Sequence, residues 1–341
     1  MKAPVFASIS STGLTDEEKR VLKALNPVGI TFFKRNIACK TQLKALSNDL
    51  KNLLGEEILL AVDQEGGRVR RLAEPDWQSY ASQYVLSRLP KDVTKAHCAL
   101  IAGDLKESGL NFNYAPVLDT LFPDTHPVLK SRCFATNCAE LGKIAVKTYC
   151  ENGVCPCIKH IPGHGRAKSD PHLGLPVITA PLGKLRKDFA PFKVNNDAPA
   201  AMTAHILLQD IDDLPVTMSK KAISELIRGE IGFNGLLISD AVDMKALKGS
   251  LEEKTLNSLA AGCDAVCYCS GKIDDLYKLK ELHLSLNDSA EQKLDRIYKI
   301  VGQESLTKAD YELYAAKIGS IEAYSENYDA TEVLNLMQKN A

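Results

Sequence analysis

Two short stretches of the 341-residue chain carry the residue types that acid–base and nucleophilic chemistry needs. Gly235-Leu236-Leu237-Ile238-Ser239-Asp240 is an apolar run that ends abruptly in a carboxylate. A carboxylate on the end of a rigid strand suits a nucleophile, which needs fixed geometry more than mobility. Asp170-Pro171-His172 sets a carboxylate two residues from an imidazole. Such a pair fixes the tautomer of the imidazole and raises its proton affinity, so Asp170 and His172 read as an acid/base dyad. Taken singly, a loop Asp more often forms a turn or caps a helix, and a loop His more often satisfies a local hydrogen bond. Asp240 and the dyad gain weight from their company. Asp63, Asp119, Lys159-His160, His205 and Asp240 each fall at or just after an apolar run, and His126, His164 and His172 lie in the same loops. Ionised groups gathered together are costly unless they serve a site.

Residues with these spacings converge only if the runs are strands with a common direction. The runs are Val5–Ser10, Gly29–Phe33, Ile58–Val62, Asn111–Val117, Val154–Ile158, Ala200–Thr203, Gly235–Ser239 and Ala265–Tyr268. Between them lie amphipathic segments with recognisable ends. Thr15 with Glu18 forms a capping box, Ser219 precedes 220–229, and Ser250 opens 251–261 before Gly262. Eight strand–helix alternations in about 270 residues are the count of a (β/α)8 TIM-like barrel, whose active sites gather at the C-terminal ends of the strands. A doubly wound sheet would place a Gly-rich turn after its first strand, and Ser10-Ser11-Thr12-Gly13 is not one. The expectation is a single catalytic domain over 1–341, with the barrel in about 1–285 and a C-terminal helical extension, 286–341, packed on it. If Lys159 faces the mouth, alternation places Cys155 and Cys157 inside the barrel and Ile158 against the helices.

Composition narrows the class. Lys plus Arg number 42 and Asp plus Glu 43, a net charge of −1, so neither nucleic acid nor an anionic membrane is expected as a partner. No apolar run approaches a membrane span, and the N-terminal residues read as a strand and not as a signal peptide. The ten Cys show no Cys-x-x-Cys and read as buried, reduced thiols of a cytoplasmic protein. No metal or cofactor is expected: strand one ends in Ser and Thr, and Pro162 between His160 and His164 blocks a helical His pair. This disfavours a metal-dependent barrel hydrolase. A non-enzymatic sugar-binding protein would have no need of both Asp240 and His172.

The motifs together resemble glycoside hydrolase family three, and within it the bacterial β-N-acetylglucosaminidases of the NagZ type. The resemblance rests on Asp63-Gln64-Glu65-Gly66-Gly67-Arg68-Val69, Asn113-Tyr114-Ala115-Pro116-Val117-Leu118-Asp119, Arg132 in Ser131-Arg132-Cys133-Phe134, Lys159-His160-Ile161-Pro162-Gly163-His164-Gly165, Asp170-Pro171-His172, Met202-Thr203-Ala204-His205 and Ser239-Asp240. It implies Asp240 as nucleophile, His172 as general acid/base with Asp170 as its partner, and Asp63, Arg71, Arg132, Lys159 and His160 as ligands of a non-reducing N-acetylglucosamine. It further implies a retaining reaction on a small carbohydrate, N-acetylglucosamine linked to anhydro-N-acetylmuramyl peptides, by a monomer in the cytoplasm. The alternative within the family is a β-glucosidase or an N-acetylglucosaminide phosphorylase, since a His acid/base leaves room for an incoming phosphate. Departures from the family are Ile161 for Phe, Pro171 for Ser, and Asp240-Ala241-Val242-Asp243-Met244 for Asp-Asp-Leu-Ser-Met. They bear on substrate preference and pKa tuning, not on the reaction class.

Overall fold

The structure, a computed structural model, describes residues 1–318. Eight parallel strands close into a barrel: β1 (Ala3–Ala7), β2 (Pro27–Phe32), β3 (Leu59–Val62), β4 (Phe112–Asn113), β5 (Cys155–Ile161), β6 (Ala200–Thr203), β7 (Leu236–Ala241) and β8 (Ala265–Cys267). Closure comes from β1 pairing with β2 on one side and with β8 on the other, through Val5 opposite Val266 and Phe6 opposite Cys267. All eight expected runs become strands of this barrel. The fourth is much shorter than its apolar run: the backbone turns where Ala115 N donates to Asn113 O at 2.8 Å, Pro116 has no N–H to give the ladder, and Val117 pairs again with Lys159. A separate two-stranded ribbon, Val177–Ile178 beside Leu207–Leu208, joins the loops after β5 and β6.

The helices begin where the sequence offers caps. Thr15 and Ser250 each make a full capping box, with Glu18 and Glu253, and Gly262 ends Leu251–Ala261 in a left-handed conformation. Ser219 Oγ accepts from Ala222 N at 2.9 Å, as its position suggests. The segment it opens, Ala222–Glu230, is wound as a π-helix, with Ile231 N donating five residues back to Leu226 O. Its Leu226 and Ile227 still reach the core, so the apolar pattern is met at a different pitch.

Inside the barrel, Phe6 and Phe112 pack at a tilt and Phe112 and Tyr114 edge-on, with ring centroids 5.3 and 5.5 Å apart. Phe6 fits because residue 29 is glycine: a Cβ there would lie 2.5 Å from the Phe6 ring and 2.9 Å from Leu59 O. Cys155 and Cys157 are fully buried in this interior cluster, Ile158 packs outward among the helices, and all ten Cys are free thiols. The N-terminal end of the barrel is stoppered by the helix Asp288–Val301, whose Leu294 and Ile297 join the interior cluster. The following helix, Lys308–Ile318, lies along Lys91–Glu107, with Tyr311 Oη donating to Asp104 at 3.2 Å. The remainder of the expected extension, 319–341, lies outside the described residues.

The loop after β3 is held from behind. Gly66 is left-handed (φ +93°), and its absent Cβ would sit 2.2 Å from Ala81 O. His97, buried in the helix Lys91–Glu107, lies 3.0 Å from the same carbonyl and edge-on to Tyr80. Burial pushes its pKa down from 6.5 to about 4, so the folded protein refuses a proton that the unfolded chain accepts. Stability from this group is therefore complete above pH 6.5 and declines as pH falls toward 4, by on the order of 3 kcal/mol. Urea unfolding at stepped pH should show that decline, with a shallower slope in His97→Gln, whose amide keeps the Ala81 contact. An unchanged slope in the variant would remove His97 from the account.

Candidate active site

At the C-terminal mouth the structure assembles a buried ion cluster from three separate segments. Lys159, at the end of β5, is 1% exposed, and its Nζ lies 2.7 Å from Asp63 Oδ1 and 2.7 Å from Glu65 Oε1. Arg132 grips Glu65 in a fork, Nε–Oε2 at 2.9 Å and Nη2–Oε1 at 2.8 Å. Arg71 Nη2 reaches Asp63 Oδ2 at 3.3 Å. Burial raises the carboxyl pKa values of Asp63 and Glu65, but Lys159 and the two arginines more than offset it, and both end below the usual carboxylate range. Burial likewise opposes the charge on Lys159, and the two carboxylates override it, leaving its pKa raised. The cluster is fully ionised at neutral pH. Gln64, between the two acids, points the other way: its Oε1 accepts from Arg71 N and Leu72 N, while Asn113 exchanges two bonds with its backbone. This alternation turns Asp63 and Glu65 to the same side.

The end of β5 carries an extra residue. Its pairing with β6 runs Lys159 opposite Met202 and then Ile161 opposite Thr203, and the peptide from Lys159 to His160 is cis. Two consecutive side chains, Lys159 and His160, thus serve the mouth while Ile161 returns to the outer core. His160 Nδ1 lies 2.7 Å from the fully buried Asp119, whose other oxygen accepts from His164 N at 2.6 Å. Beside the carboxylate Nδ1 carries the proton, so Nε2 is the ring atom left for a ligand. His164 lies edge-on to His160 at 5.9 Å, with neither ring nitrogen hydrogen-bonded among the described residues; burial lowers its pKa to about 4, so it is neutral.

Asp240 stands near the end of β7, its Oδ1 accepting from Ala241 N at 2.7 Å. Burial raises its pKa, but the imidazoles of His205, His160 and His172 and the Ala241 N–H outweigh burial and bring it to about 2. Behind it His205 is locked between Thr217 Oγ1 at 2.8 Å and Ala241 O at 3.0 Å. The strand end is further fixed laterally: Cys267 N donates to Ser239 Oγ at 3.1 Å and Cys269 N to Asp243 Oδ1 at 3.1 Å. Asp243, the carboxylate where the family has Ser, therefore staples the β7 loop to the β8 loop.

His172 lies on the loop after β5, whose base is pinned and whose tip is not enclosed. Gly165 lets the loop pass Thr120, where a Cβ would lie 1.8 Å from its carbonyl, and Arg166 Nε is bound to Asp188 at 2.6 Å. Farther along, His172 Nδ1 lies 2.7 Å from Asp170 Oδ1, and its side chain is 56% exposed. The hydrogen bond to Asp170 raises the His172 pKa, with Asp240 adding to the effect. The charges of Asp240 and Arg132 both act on His172, and His172 acts on Asp240, so the dyad lies within electrostatic range of the mouth.

All eight residues singled out from the sequence reach this mouth. Glu65 was not among them, although it stands in the quoted Asp-Gln-Glu-Gly-Gly stretch and is the central carboxylate of the cluster. The sequence marks Asp119 and His205 as strand-end residues, but not as the supports of His160 and Asp240.

The family model for the glycosyl hydrolase family 3 N-terminal domain matches residues 6–301. Among curated proteins, a β-hexosaminidase of Neisseria meningitidis is 34% identical over 286 residues, 79% of this chain and 78% of that protein. One from Bordetella avium is 30% identical over 311 residues, 86% and 87% of the two chains. Among solved structures, NagZ from Neisseria gonorrhoeae in complex with N-trifluoroacetyl-D-glucosamine superposes with a TM-score of 0.80 at 30% identity, over 93% of this chain and 94% of that one.

Removing the charge of Glu65 should cost far more than a surface pair would. Glu65→Gln leaves Arg132 without its carboxylate and Lys159 with one, and loss of about 3–5 kcal/mol is expected in chemical denaturation. A cost below about 1 kcal/mol, the range of an exposed pair, would show that the cluster is not coupled.

Proposed function

Since the chain belongs to glycosyl hydrolase family 3 and is a glycoside hydrolase related to β-hexosaminidases, we propose that it is a retaining, exo-acting β-N-acetylglucosaminidase. In this reading Asp240 attacks the anomeric carbon and forms a glycosyl-enzyme, while His172 protonates the departing oxygen. His172, now a base, then takes a proton from water, and the water releases the sugar with net retention. Asp63, Arg71, Arg132, Lys159 and His160 hold the non-reducing N-acetylglucosamine. The observation that carries the reading is the contrast between two groups at one mouth: Asp240, half-buried and anionic on the end of a strand, and His172, more exposed on a loop, with its proton affinity raised by Asp170. One can serve as a nucleophile throughout the neutral range, and the other can give and take a proton there. The Neisseria gonorrhoeae relative, solved with an N-acetylglucosamine analogue, supports the sugar assignment.

The substrate we propose is an N-acetylglucosamine-anhydro-N-acetylmuramyl peptide from peptidoglycan recycling, cleaved in the cytoplasm by a monomer. Ten free thiols, six of them buried, fit a reducing compartment. No helix among the described residues is long and apolar enough to cross a membrane.

Release of the chromophore from an aryl β-N-acetylglucosaminide, and little from the matching β-glucoside, is the expected specificity. A rate that rises with added phosphate, with a sugar phosphate as product, would instead favour the phosphorylase. Asp240→Asn should keep the fold and lose glycosylation, and a fluorinated substrate analogue should label Asp240; label on another carboxylate would overturn the assignment. His172→Ala should slow substrates with basic leaving groups by roughly 10²–10⁴-fold and activated aryl glycosides far less in their first step. For the latter, a burst and rescue by azide are expected. Equal losses on both classes, without burst or rescue, would make His172 a binding residue. Because Asp170 raises the His172 pKa, the basic limb of the kcat/KM profile should move to lower pH in Asp170→Asn. A limb that stays in place would dissolve the dyad.

A further inference from the structure

At the opposite, N-terminal end of the barrel, a cavity of 580 Å³ opens between the turns that enter β6 and β7, the helix Cys138–Glu151 and the stopper helix Asp288–Val301. Four cations line it, Lys143, Lys147, Lys293 and Arg296, against a single lining carboxylate, Asp197. Their internal pairing is incomplete. Lys143 Nζ is 2.5 Å from Asp197. Lys293 Nζ is 2.6 Å from Asp264, but that carboxylate is shared with Arg228 at 2.7 Å. Lys147 is 3.7 Å from Glu151 in an exposed helical pair. The Arg296 guanidinium has no hydrogen-bond or ion-pair partner among the described residues. Four lining cations therefore face one lining carboxylate, and with the partners behind the lining, Arg228, Asp264 and Glu151, five cations meet three carboxylates, on a chain whose net charge is −1.

A concave surface focuses such an excess into a positive potential that draws in anions. The volume lies in the range of small-molecule pockets. An unpaired guanidinium presents parallel N–H groups that match the oxygens of a phosphate or carboxylate, and the neighbouring ammonium of Lys147 supplies a point charge. We propose that this cavity binds a small, multiply charged oxyanion, of the phosphate-ester or polycarboxylate class, at the far end of the barrel from the glycosidase mouth. A ligand seated there touches both the stopper helix, through Lys293 and Arg296, and the strand-entry turns, through Asn196 and Asn234. It would clamp the helix onto the barrel floor, so its binding should be visible as added thermal stability.

The test uses the full chain with pyrophosphate as probe and citrate as a second arm, each against NaCl of matched ionic strength. Wild-type protein should show saturable binding by calorimetry and a matching rise in Tm. In the double variant Lys147→Gln/Arg296→Gln, both positions being exposed, the dissociation constant should rise by about tenfold or more. Turnover of the chromogenic glycoside should stay unchanged, because neither residue is near the mouth. Equal binding of citrate would assign the site to oxyanions in general, and binding of pyrophosphate alone to phosphate esters; either supports the proposal. No saturable binding above the salt control, or the same affinity in the double variant, overturns it. The outcome is independent of which sugar the mouth cleaves.

Discussion

A lysine buried at the centre of a barrel mouth is tolerable only if its charge is answered, and much of this site follows from how Lys159 is answered. Two carboxylates from one loop meet it, and one of them is taken in turn by Arg132 from a third segment. Removing ions from water costs several kcal/mol each, so such a network adds little net stability and instead admits few alternative arrangements. It ties the end of β5 to the loop after β3 and to the segment after β4 at fixed distances. The aromatic cluster below, with Phe6 admitted by the gap at Gly29, forms a close-packed floor for it.

Above that floor the groups grade from inert to reactive. The cluster is saturated with partners. Asp240 has one backbone bond and imidazoles around it, so it is anionic but not neutralised by a salt bridge. His172 is half exposed and held by a single carboxylate on a loop pinned only at its base. A nucleophile must not move, whereas an acid/base group must follow an oxygen that departs and a water that arrives. The positions of the two residues, one on a strand and one toward a loop tip, match those needs.

Much of this was legible beforehand because barrel strands are short apolar runs and their capping residues are local signals. Thr15 with Glu18, Ser250 with Glu253, and Gly262 all act within four residues of themselves. The inward positions of Cys155 and Cys157 followed from strand alternation up to Lys159. What escaped depends on partners far along the chain. The value of Glu65 lies in Lys159 and Arg132, 94 and 67 residues away, and nothing in its own surroundings distinguishes it from a loop carboxylate. Asp119 likewise gains its meaning from His160 and His164. The short fourth strand was readable in principle from Pro116. The π-helical pitch of Ala222–Glu230 was not, because the same apolar faces satisfy either winding over two turns.

Closure of the barrel through β1 and β8 has a consequence for its birth. The first strand leaves the ribosome with one of its two neighbours still some 260 residues from being made. Until then β1 and the growing far strand each present unpaired N–H and C=O groups, and the apolar interior lies open at the N-terminal end, since the helix that stoppers it follows β8. Nascent chains in that condition are templates for wrong partners. The last 50 or so described residues thus act as the fastening of a structure whose catalytic groups are all synthesised before it.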